Sequence, residues 1–318
     1  MRLIIGSRGS KLALWQAHWV RDQLVAAGYK IEIRVIKTTG DKLQAVAPGE
    51  PLPPSVAQTV AAAGSKGLFI KEIEEALLAR EIDVAVHSLK DLPTDQPAGL
   101  ALGAVPRRED ARDVFIARNG LPLESLPPGA RVATSSLRRQ TQLRALRSDL
   151  VCVAMRGNLD TRLRKLERGD CEALVLAAAG VHRLGLTGRI TSYFSVDQMC
   201  PAVGQGALGI EIRADDSDAN AAVARLDQLT THLAVRAERA VLRRLGGGCQ
   251  VPIAAHAVVE DGWTQLQGLV ANLDGTHVIR ARTKGPASDA EALGAVVAED
   301  LLRQGAREIL DALSETKH

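Results

Sequence analysis

Asp91 is the acidic side chain whose setting best suits acid–base chemistry. It follows Lys90 at the end of an apolar stretch and directly precedes Leu92-Pro93. A carboxylate that faces a strongly cationic cleft stays ionised, and it can stabilise a positively charged intermediate or manage a proton. The alternative is an ordinary turn residue or an ion-pair partner.

Cys249 is the candidate nucleophile. Three glycines precede it and Gln-Val-Pro follows, so the thiol lies in a turn where a ligand can approach closely. The alternative is a small buried apolar residue, because a reactive thiol needs an exposed, electropositive setting. The cysteines at 152, 171, 200 and 249 have neither metal-knuckle nor redox-dithiol spacing, so no metal site is predicted.

Basic residues follow several predicted strand ends. Ser135 and Ser136 begin a predicted helix whose first turn holds Arg138 and Arg139, where the helix dipole disfavours cations, so we expect a compensating anion. The alternative is a solvated helix face, or pairing with acidic residues elsewhere. The same two interpretations apply to Arg156, Arg162 and Arg183, although arginine can hold a carboxylate bidentately.

The distribution of charge favours a small polyanionic partner. The 318-residue chain has a net charge of only +3, yet residues 131–189 hold twelve basic and five acidic side chains. Nucleic acid is the weaker candidate, because the chain has only three Trp, two Tyr and three Phe to stack on bases. Apolar residues are 46% and charged residues 24%, which is typical of globular proteins that dissolve in water.

Alternating strands and helices must position these residues. A strand at 3–6 leads through Ser10, a plausible helix cap, into a helix that ends at Gly28, with Trp15 and Trp19 predicted to be core residues. Later strands are predicted at 31–35, 83–87, 100–105, 113–117, 131–133, 150–154 and 173–177, with helices at 66–80, 136–146 and 158–167. This alternation predicts doubly wound, mainly parallel sheets, which bind ligands beyond the carboxyl ends of their strands.

Three domains are expected: 1–106 with 207–226, then 107–206, then a smaller α+β domain over 227–318. Residues 204–212 are predicted to return the chain to the first sheet, and Gly204-Gln205-Gly206 to be a turn at this interdomain crossing. The proline- and alanine-rich segment 42–64 is predicted to be a long mobile loop. His87 is predicted to be an ordinary strand residue, not a catalyst.

Taken together, eight segments resemble the porphobilinogen deaminase family in sequence and in order. They are SRGSKLALWQA (7–17), KGLFIKEIEEALL (66–78), DVAVHSLKDLPT (83–94), TSSLRRQTQL (134–143), RGNLDTRLRKL (156–166), LAAAGVHRLGL (176–186), VGQGALGIE (203–211) and GGCQVP (247–252). The resemblance implies two periplasmic-binding-protein-like α/β domains plus a small α+β C-terminal domain. It departs at 42–64, which is longer and richer in Ala and Pro than the family pattern.

The resemblance also implies the chemistry. Four porphobilinogen molecules would be joined head to tail into hydroxymethylbilane, with release of four ammonia, on a dipyrromethane cofactor that a thioether links to Cys249. Asp91 would stabilise the methylene pyrrolenine cation left by deamination. The implied cofactor-binding residues are Lys90, Thr134, Ser136, Arg138, Arg139, Arg162 and Arg183. The implied substrate-binding residues are Arg8, Ser10, Arg156, Phe69 and Lys66, the last two beside the predicted loop.

A different class of protein remains open from sequence, namely a non-catalytic small-anion binder of the solute-binding type, because two doubly wound halves with a hinge also build such proteins. Arg8 and Lys11 interrupt any signal-peptide core, and the apolar run 173–181 is too short to cross a bilayer. We therefore expect a cytoplasmic protein with a small-molecule substrate and no nucleic-acid or membrane partner. The family resemblance implies a monomer.

Overall fold

The computed structural model describes residues 1–41, 69–246 and 251–315 of the chain. The predicted loop 42–64, Lys66 and Cys249 lie outside the described residues.

The secondary structure alternates strands and helices over most of this length. The strands are β1 (Arg2–Ser7), β2 (Lys30–Val35), β3 (Val84–Ser88), β4 (Leu100–Ala104), β5 (Asp113–Ala117), β6 (Arg131–Ala133), β7 (Val151–Val153), β8 (Ala173–Ala177), β9 (Ser192–Tyr193), β10 (Leu208–Arg213), β11 (Ile253–Glu260), β12 (Trp263–Ala271) and β13 (Val278–Pro286). The helices are α1 (Lys11–Ala26), α2 (Lys71–Leu78), α3 (Leu137–Leu146), α4 (Leu159–Glu167), α5 (Ala178–Arg183), α6 (Ser217–Val223), α7 (Leu229–Leu245), α8 (Ala290–Arg303) and α9 (Ala306–Glu315).

Two five-stranded sheets share one spatial arrangement of strands. Their strand orders are β2-β1-β3-β10-β4 and β7-β6-β8-β5-β9. In each sheet the fourth strand in this order, β10 or β5, is antiparallel to both of its neighbours, and the other strands share one direction. The prediction of mainly parallel sheets is confirmed, and β10 returns the chain to the first sheet as predicted.

The residue contacts divide the chain into two compact units. The first comprises Met1–Arg108 and Ala207–His232, and the second comprises Glu109–Gly206 and Leu233–His318. The chain therefore passes between units three times, after residues 108, 206 and 232. Each reversed strand, β5 or β10, is the first strand that follows such a passage. The three-domain division and its boundaries at 107, 207 and 227 stay predictions.

Each five-stranded sheet buries side chains on both faces, because successive strand residues point to opposite sides. In the first sheet, Leu3 and Ile5 pack in the core on the α1 side, while Ile4 packs against the core that includes α2. Trp19 packs partly buried against the first of these cores, but Trp15 is 37% exposed. The prediction for Trp15 was wrong, because the buried face of α1 runs through smaller neighbours (Gln16, Ala17, Val20 and Leu24).

The second sheet is built the same way. Phe115 faces the core that holds Leu143 of α3, and Val114 faces the core that holds Leu163 of α4. A third sheet, in the order β11-β12-β13, is fully antiparallel and packs against α7, α8 and α9 around Val241, Val270 and Leu301. This is the expected small α+β region, and it forms part of the second compact unit.

Candidate active site

The carboxyl ends of β1, β2 and β3 meet at one edge of the first sheet, because these strands are parallel neighbours. Three polar segments therefore come to this edge. They are residues 8–10 after β1, residues 36–41 after β2, and residues 89–91 after β3. The first and third of these segments hold Arg8, Ser10, Lys90 and Asp91, which the sequence indicated as candidate site residues.

Arg8 has a carboxylate partner at this edge. Its Nη2 and Nε donate to Oδ1 of Asp41 at 2.6 and 3.1 Å, and its guanidinium lies 4.0 Å from the centre of the Phe69 ring. Ser10 caps α1, as predicted, with Oγ accepting the N–H of Ala13 at 3.3 Å. Arg8, Ser10 and Phe69 are thus positioned at the first edge by a strand, a helix cap and a ring stack.

Asp41 is held in its ionised form. Burial would raise the pKa of Asp41, but hydrogen bonds from Arg8 and Thr38 outweigh it, and the pKa lies below its usual value. Gly40 permits this arrangement because a Cβ at that position would lie 2.1 Å from the Phe69 ring. No larger residue fits there unless the ring moves.

Asp91 lies in a short 3-10 turn, Leu89–Asp91, directly after β3. Leu89 anchors the turn, since its side chain is buried and its N–H donates to the carbonyl of Ala207 at 3.0 Å. The Asp91 side chain is exposed, and Lys90 is partly buried. His87 points into the core and pairs with Glu211 at 3.1 Å, so it is the ordinary strand residue that the sequence predicts.

The second sheet repeats this layout with different residues. The parallel strands β6, β7 and β8 end at one edge, which receives Thr134–Ser136, Arg156–Asn158 and α5 with Arg183. Thr134 is buried, and its Oγ1 accepts the N–H of Ser136 at 3.3 Å. The hydroxyl of Ser136 makes no hydrogen bond that caps α3. Arg156 is exposed at this edge.

Arg138 and Arg139 are buried and share the carboxylate of Asp113. Arg138 Nη1 donates to Oδ2 of Asp113 at 2.7 Å, and Arg139 donates to Oδ1 through Nε at 3.0 Å and Nη2 at 2.7 Å. Burial would raise the pKa of Asp113, but the two guanidinium groups lower it to about 2. The anion expected near these two arginines is therefore supplied, at least in part, by the chain itself.

Arg162 differs from its neighbours, because no carboxylate in the described part of the chain lies within ion-pair distance of it. Its Nε donates to the carbonyl of Gly157 at 2.8 Å. Burial lowers the pKa of the Arg162 guanidinium to about 10, and the charge of Arg139 lowers it further. A desolvated cation beside a second cation is costly unless an anion binds there.

Arg183 contacts the backbone where the chain passes back toward the first sheet. Its Nη2 donates to the carbonyl of Gly206 at 2.7 Å. Burial lowers the pKa of Arg183 to about 10, and the nearby Glu109 carboxylate opposes that shift. Arg183 is therefore a second desolvated cation of the second edge.

Two residues that hold the arginines are not predicted as site residues from the sequence. Asp113 is predicted only as the start of a strand, although a charged residue at the head of the apolar stretch Asp113–Ala117 signals a buried ion pair. Asp41 follows β2 and has no comparable signal, because its partner Arg8 is 33 residues away.

The second edge therefore has the chemistry of a site for an organic ligand that bears several carboxylates. Arg138 and Arg139 share the carboxylate of Asp113, and Arg162, whose pKa the charge of Arg139 lowers, has no carboxylate within ion-pair distance among the described residues. Carboxylates are the natural ligands for arginines held in this way.

Comparisons with known proteins define the family. Residues 3–221 match the family model described as "Porphobilinogen deaminase, dipyromethane cofactor binding domain", and residues 232–303 match "Porphobilinogen deaminase, C-terminal domain". The porphobilinogen deaminase of Syntrophobacter fumaroxidans is 49% identical over 97% of both chains. That of Desulforudis audaxviator is 52% identical over 97% of this chain and 96% of its own. The chain belongs to the porphobilinogen deaminase family.

Solved structures with a similar chain trace include a TRAP periplasmic solute binding protein from Desulfovibrio salexigens. It shares 11% sequence identity over 71% of this chain and 72% of its own, with a TM-score of 0.39. A TM-score of that size carries no argument about function. The fold assignment rests on the two sheets with the same strand arrangement and on the antiparallel third sheet. No helix in the described ranges is long and apolar enough to cross a membrane.

Proposed function

We propose that this chain is a transferase that joins four porphobilinogen molecules head to tail into hydroxymethylbilane, releasing four ammonia, in tetrapyrrole biosynthesis. It uses the dipyrromethane cofactor for which its family model is described. We place it in the cytoplasm as a monomer, acting on a small-molecule substrate and needing no nucleic acid or membrane.

The excess of positive charge at the second edge is the observation that carries this proposal. Among the described residues, Arg138 and Arg139 share the single carboxylate of Asp113, and Arg162 has no carboxylate within ion-pair distance. Each porphobilinogen carries an acetate and a propionate, so the cofactor and every added ring bring two carboxylates. Paired arginine–carboxylate bonds offset the cost of desolvating these guanidinium groups.

The residues fit the cofactor on chemical grounds, because dipyrromethane carries carboxylates and this edge holds a desolvated cation with no acidic partner among the described residues. When bound, dipyrromethane supplies the free pyrrole carbon to which the first substrate is joined. Cys249 is proposed as its thioether anchor. Its side chains are assigned to Lys90, Thr134, Ser136, Arg138, Arg139, Arg162 and Arg183. Incoming substrate is assigned to Arg8, Ser10, Arg156, Phe69 and Lys66.

Asp91 is proposed as the catalytic carboxylate. Loss of ammonia breaks the carbon–nitrogen bond of porphobilinogen and leaves a cation spread over the pyrrole ring. An ionised carboxylate stabilises this cation more strongly than it stabilises the neutral ring, so it lowers the barrier to its formation. Asp91 is suited to this task because its side chain is exposed at the first edge, while the buried side chain of Leu89 anchors the turn that carries it.

The intact mass of the denatured protein tests the cofactor and its anchor together. We expect an excess over the mass of the bare chain equal to two linked pyrrole units, and we expect Cys249→Ser to lack it. Cys152→Ser is the matched control and should keep the excess, because burial raises the pKa of the Cys152 thiol and makes it a poor nucleophile. A bare-chain mass that does not change on addition of porphobilinogen, together with no ammonia release, would identify a passive binder instead.

A further inference from the structure

Gln205 is a fully buried glutamine that lies where the chain passes from the second unit back to the first. Its Nε2 donates to the carbonyl of Ala111 at 2.7 Å and to Oδ1 of Asp113 at 3.0 Å. Its Oε1 accepts from Arg138 Nη2 at 3.4 Å. Both ends of the side-chain amide are therefore used, one on the shared carboxylate and the other on an arginine that this carboxylate binds.

The position of Asp113 decides where Arg138 and Arg139 lie. Asp113 accepts from both guanidinium groups, and Gln205 supplies the additional N–H that the carboxylate receives at Oδ1. Arg138 has a second anchor, since its Nη1 also donates to the carbonyl of Cys200 at 2.7 Å. Loss of the Gln205 amide would remove one of the bonds that fix the orientation of the Asp113 carboxylate between the two arginines.

Segments 109–113 and 203–206, which follow the first of these passages and precede the second, are hydrogen-bonded to each other next to Gln205. The N–H of Glu109 donates to the carbonyl of Gly206 at 3.2 Å. Gly206 has a φ of +87°, and a Cβ there would lie 2.4 Å from the carbonyl oxygen of Glu109, so this close approach requires glycine. Arg183 donates to the same Gly206 carbonyl at 2.7 Å.

Three of the arginines assigned to the cofactor therefore contact residues of segments 109–113 and 203–206. Arg138 does so through Gln205, Arg139 through Asp113, and Arg183 through Gly206. We propose that Gln205 is a positioning residue that links carboxylate binding at these arginines to the hydrogen-bonded segments 109–113 and 203–206. The identity of the ligand rests on the proposed function, but the contacts of Gln205 do not.

Ligand binding and the pairing of the two segments affect each other reciprocally. A ligand that binds the arginines only when the two segments are paired must stabilise that pairing by the same free energy. Ligand binding is therefore expected to slow hydrogen exchange in segments 109–113 and 203–206. Gln205 is expected to transmit this effect.

Gln142 offers a matched control, because it is a buried glutamine of the same region whose bonds, within the described part of the chain, all go to backbone atoms. Its Nε2 donates to the carbonyls of Arg138 and Cys200 at 3.1 Å, and its Oε1 accepts from the N–H of Cys200 at 2.7 Å. Gln142→Leu and Gln205→Leu each remove one buried amide of equal size. Only the second removes a bond to Asp113.

The experiment compares the full-length wild type with Gln205→Leu, Gln205→Glu and Gln142→Leu. Porphobilinogen supplies the ligand because each ring that it adds to the cofactor brings two further carboxylates to these arginines. KM and kcat for porphobilinogen are measured, together with hydrogen exchange of both segments with and without porphobilinogen. In Gln205→Leu we expect KM to rise by roughly tenfold, the fold-change that loss of one buried hydrogen bond to a charged group produces, with a smaller change in kcat. We also expect the slowing of exchange by ligand to disappear. Gln142→Leu should keep the wild-type KM and the wild-type slowing.

Gln205→Glu keeps the size and an acceptor oxygen, so it serves if the leucine variant does not fold. It should raise KM as well, because a second carboxylate beside Asp113 reduces the excess of positive charge. The proposal is overturned if the Gln205 variants match Gln142→Leu in both KM and exchange. A wild type that binds porphobilinogen without releasing ammonia would refute the proposed function, and the exchange comparison would still decide the role of Gln205.

Discussion

The edges of the two five-stranded sheets are formed by the same arrangement of strands, but they differ in how their arginines are paired with carboxylates. At the first edge, Arg8 is matched to one carboxylate, Asp41, and stacks on Phe69. At the second edge, Arg138 and Arg139 share Asp113. Arg162 lies beside this group with no carboxylate partner among the described residues.

This difference in ion pairing has a simple cause. The strand arrangement decides which polar segments lie together at a sheet edge, and the individual side chains of those segments decide which ligand the edge can bind. The first edge neutralises its arginine and leaves Asp91 exposed. The second edge buries its acid, Asp113, beneath the arginines and keeps an excess of cations. An exposed acid suits chemistry on a cationic intermediate, and a buried acid suits the positioning of guanidinium groups.

Asp91→Asn gives the largest expected effect. Turnover of porphobilinogen should fall by roughly two to four orders of magnitude, because a neutral amide cannot stabilise the cation that follows deamination. The free energy of unfolding should be nearly unchanged, since the side chain is exposed. Steady-state ammonia release and urea denaturation measure the two quantities.

Asp95→Asn is the control for that variant, because Asp95 is another exposed acid of the same segment. It should keep nearly full turnover. Normal turnover by Asp91→Asn would show that Asp91 is not the catalytic carboxylate. The difference between the two edges would then not correspond to a division between catalysis and carboxylate binding.

Asp113→Asn, unlike Asp91→Asn, should mainly lower the free energy of unfolding. It leaves Arg138 and Arg139 buried without their counterion, so the free energy of unfolding should fall by about 3–5 kcal/mol. Chemical denaturation measures this loss. Asp197→Asn breaks an exposed ion pair with Arg282 and should cost less than about 1 kcal/mol.

The pH dependence of stability gives Asp113 a further signature. Its pKa is lowered from 3.8 to about 2 in the folded protein, so its stabilising contribution is complete above 3.8 and is lost as the pH falls through about 2. Asp113→Asn should therefore flatten the decline of stability over that interval. An unchanged acid limb would contradict the assignment of Asp113 as an ionised partner of both arginines.

Arg162→Met and Arg8→Met remove one arginine from each edge and so compare the two edges directly. Their effects should be smaller than those of Asp91→Asn and Asp113→Asn. Arg162→Met should leave the free energy of unfolding unchanged or slightly higher, because it removes a desolvated cation that Arg139 repels, yet KM for porphobilinogen should rise by roughly tenfold. Arg8→Met should lower the free energy of unfolding by about 1–2 kcal/mol, because Asp41 loses its cation. Equal losses of stability in the two variants would show that Arg162 has a structural partner.

The sequence predicted the elements that carry both edges with good accuracy. Strands β5, β6 and β8 have the predicted bounds, and the helix predicted over 136–146 is α3, Leu137–Leu146. The helix predicted over 66–80 is α2, which spans only Lys71–Leu78 among the described residues. These predictions succeed because apolar periodicity and helix caps are local properties of the chain.

The partners of the arginines could not be predicted in the same way. The sequence left open whether Arg138 and Arg139 pair with acids of the chain or with a ligand, and the structure shows that Asp113 takes both. Gln205 was expected to be no more than part of a turn at a crossing, yet its amide bonds Asp113 from 92 positions away. Such contacts depend on which side chains the fold brings together.

The amino-acid sequence by itself determined the alternation of strands and helices, the polar segments at strand ends, and the family to which those segments belong. Only the tertiary structure decided which charges are neutralised inside the protein and which are left for a ligand. The physical reason is that periodicity acts over a few residues, whereas the ionisation and pairing of Asp113, Arg139 and Arg162 depend on burial and on neighbours distant in sequence.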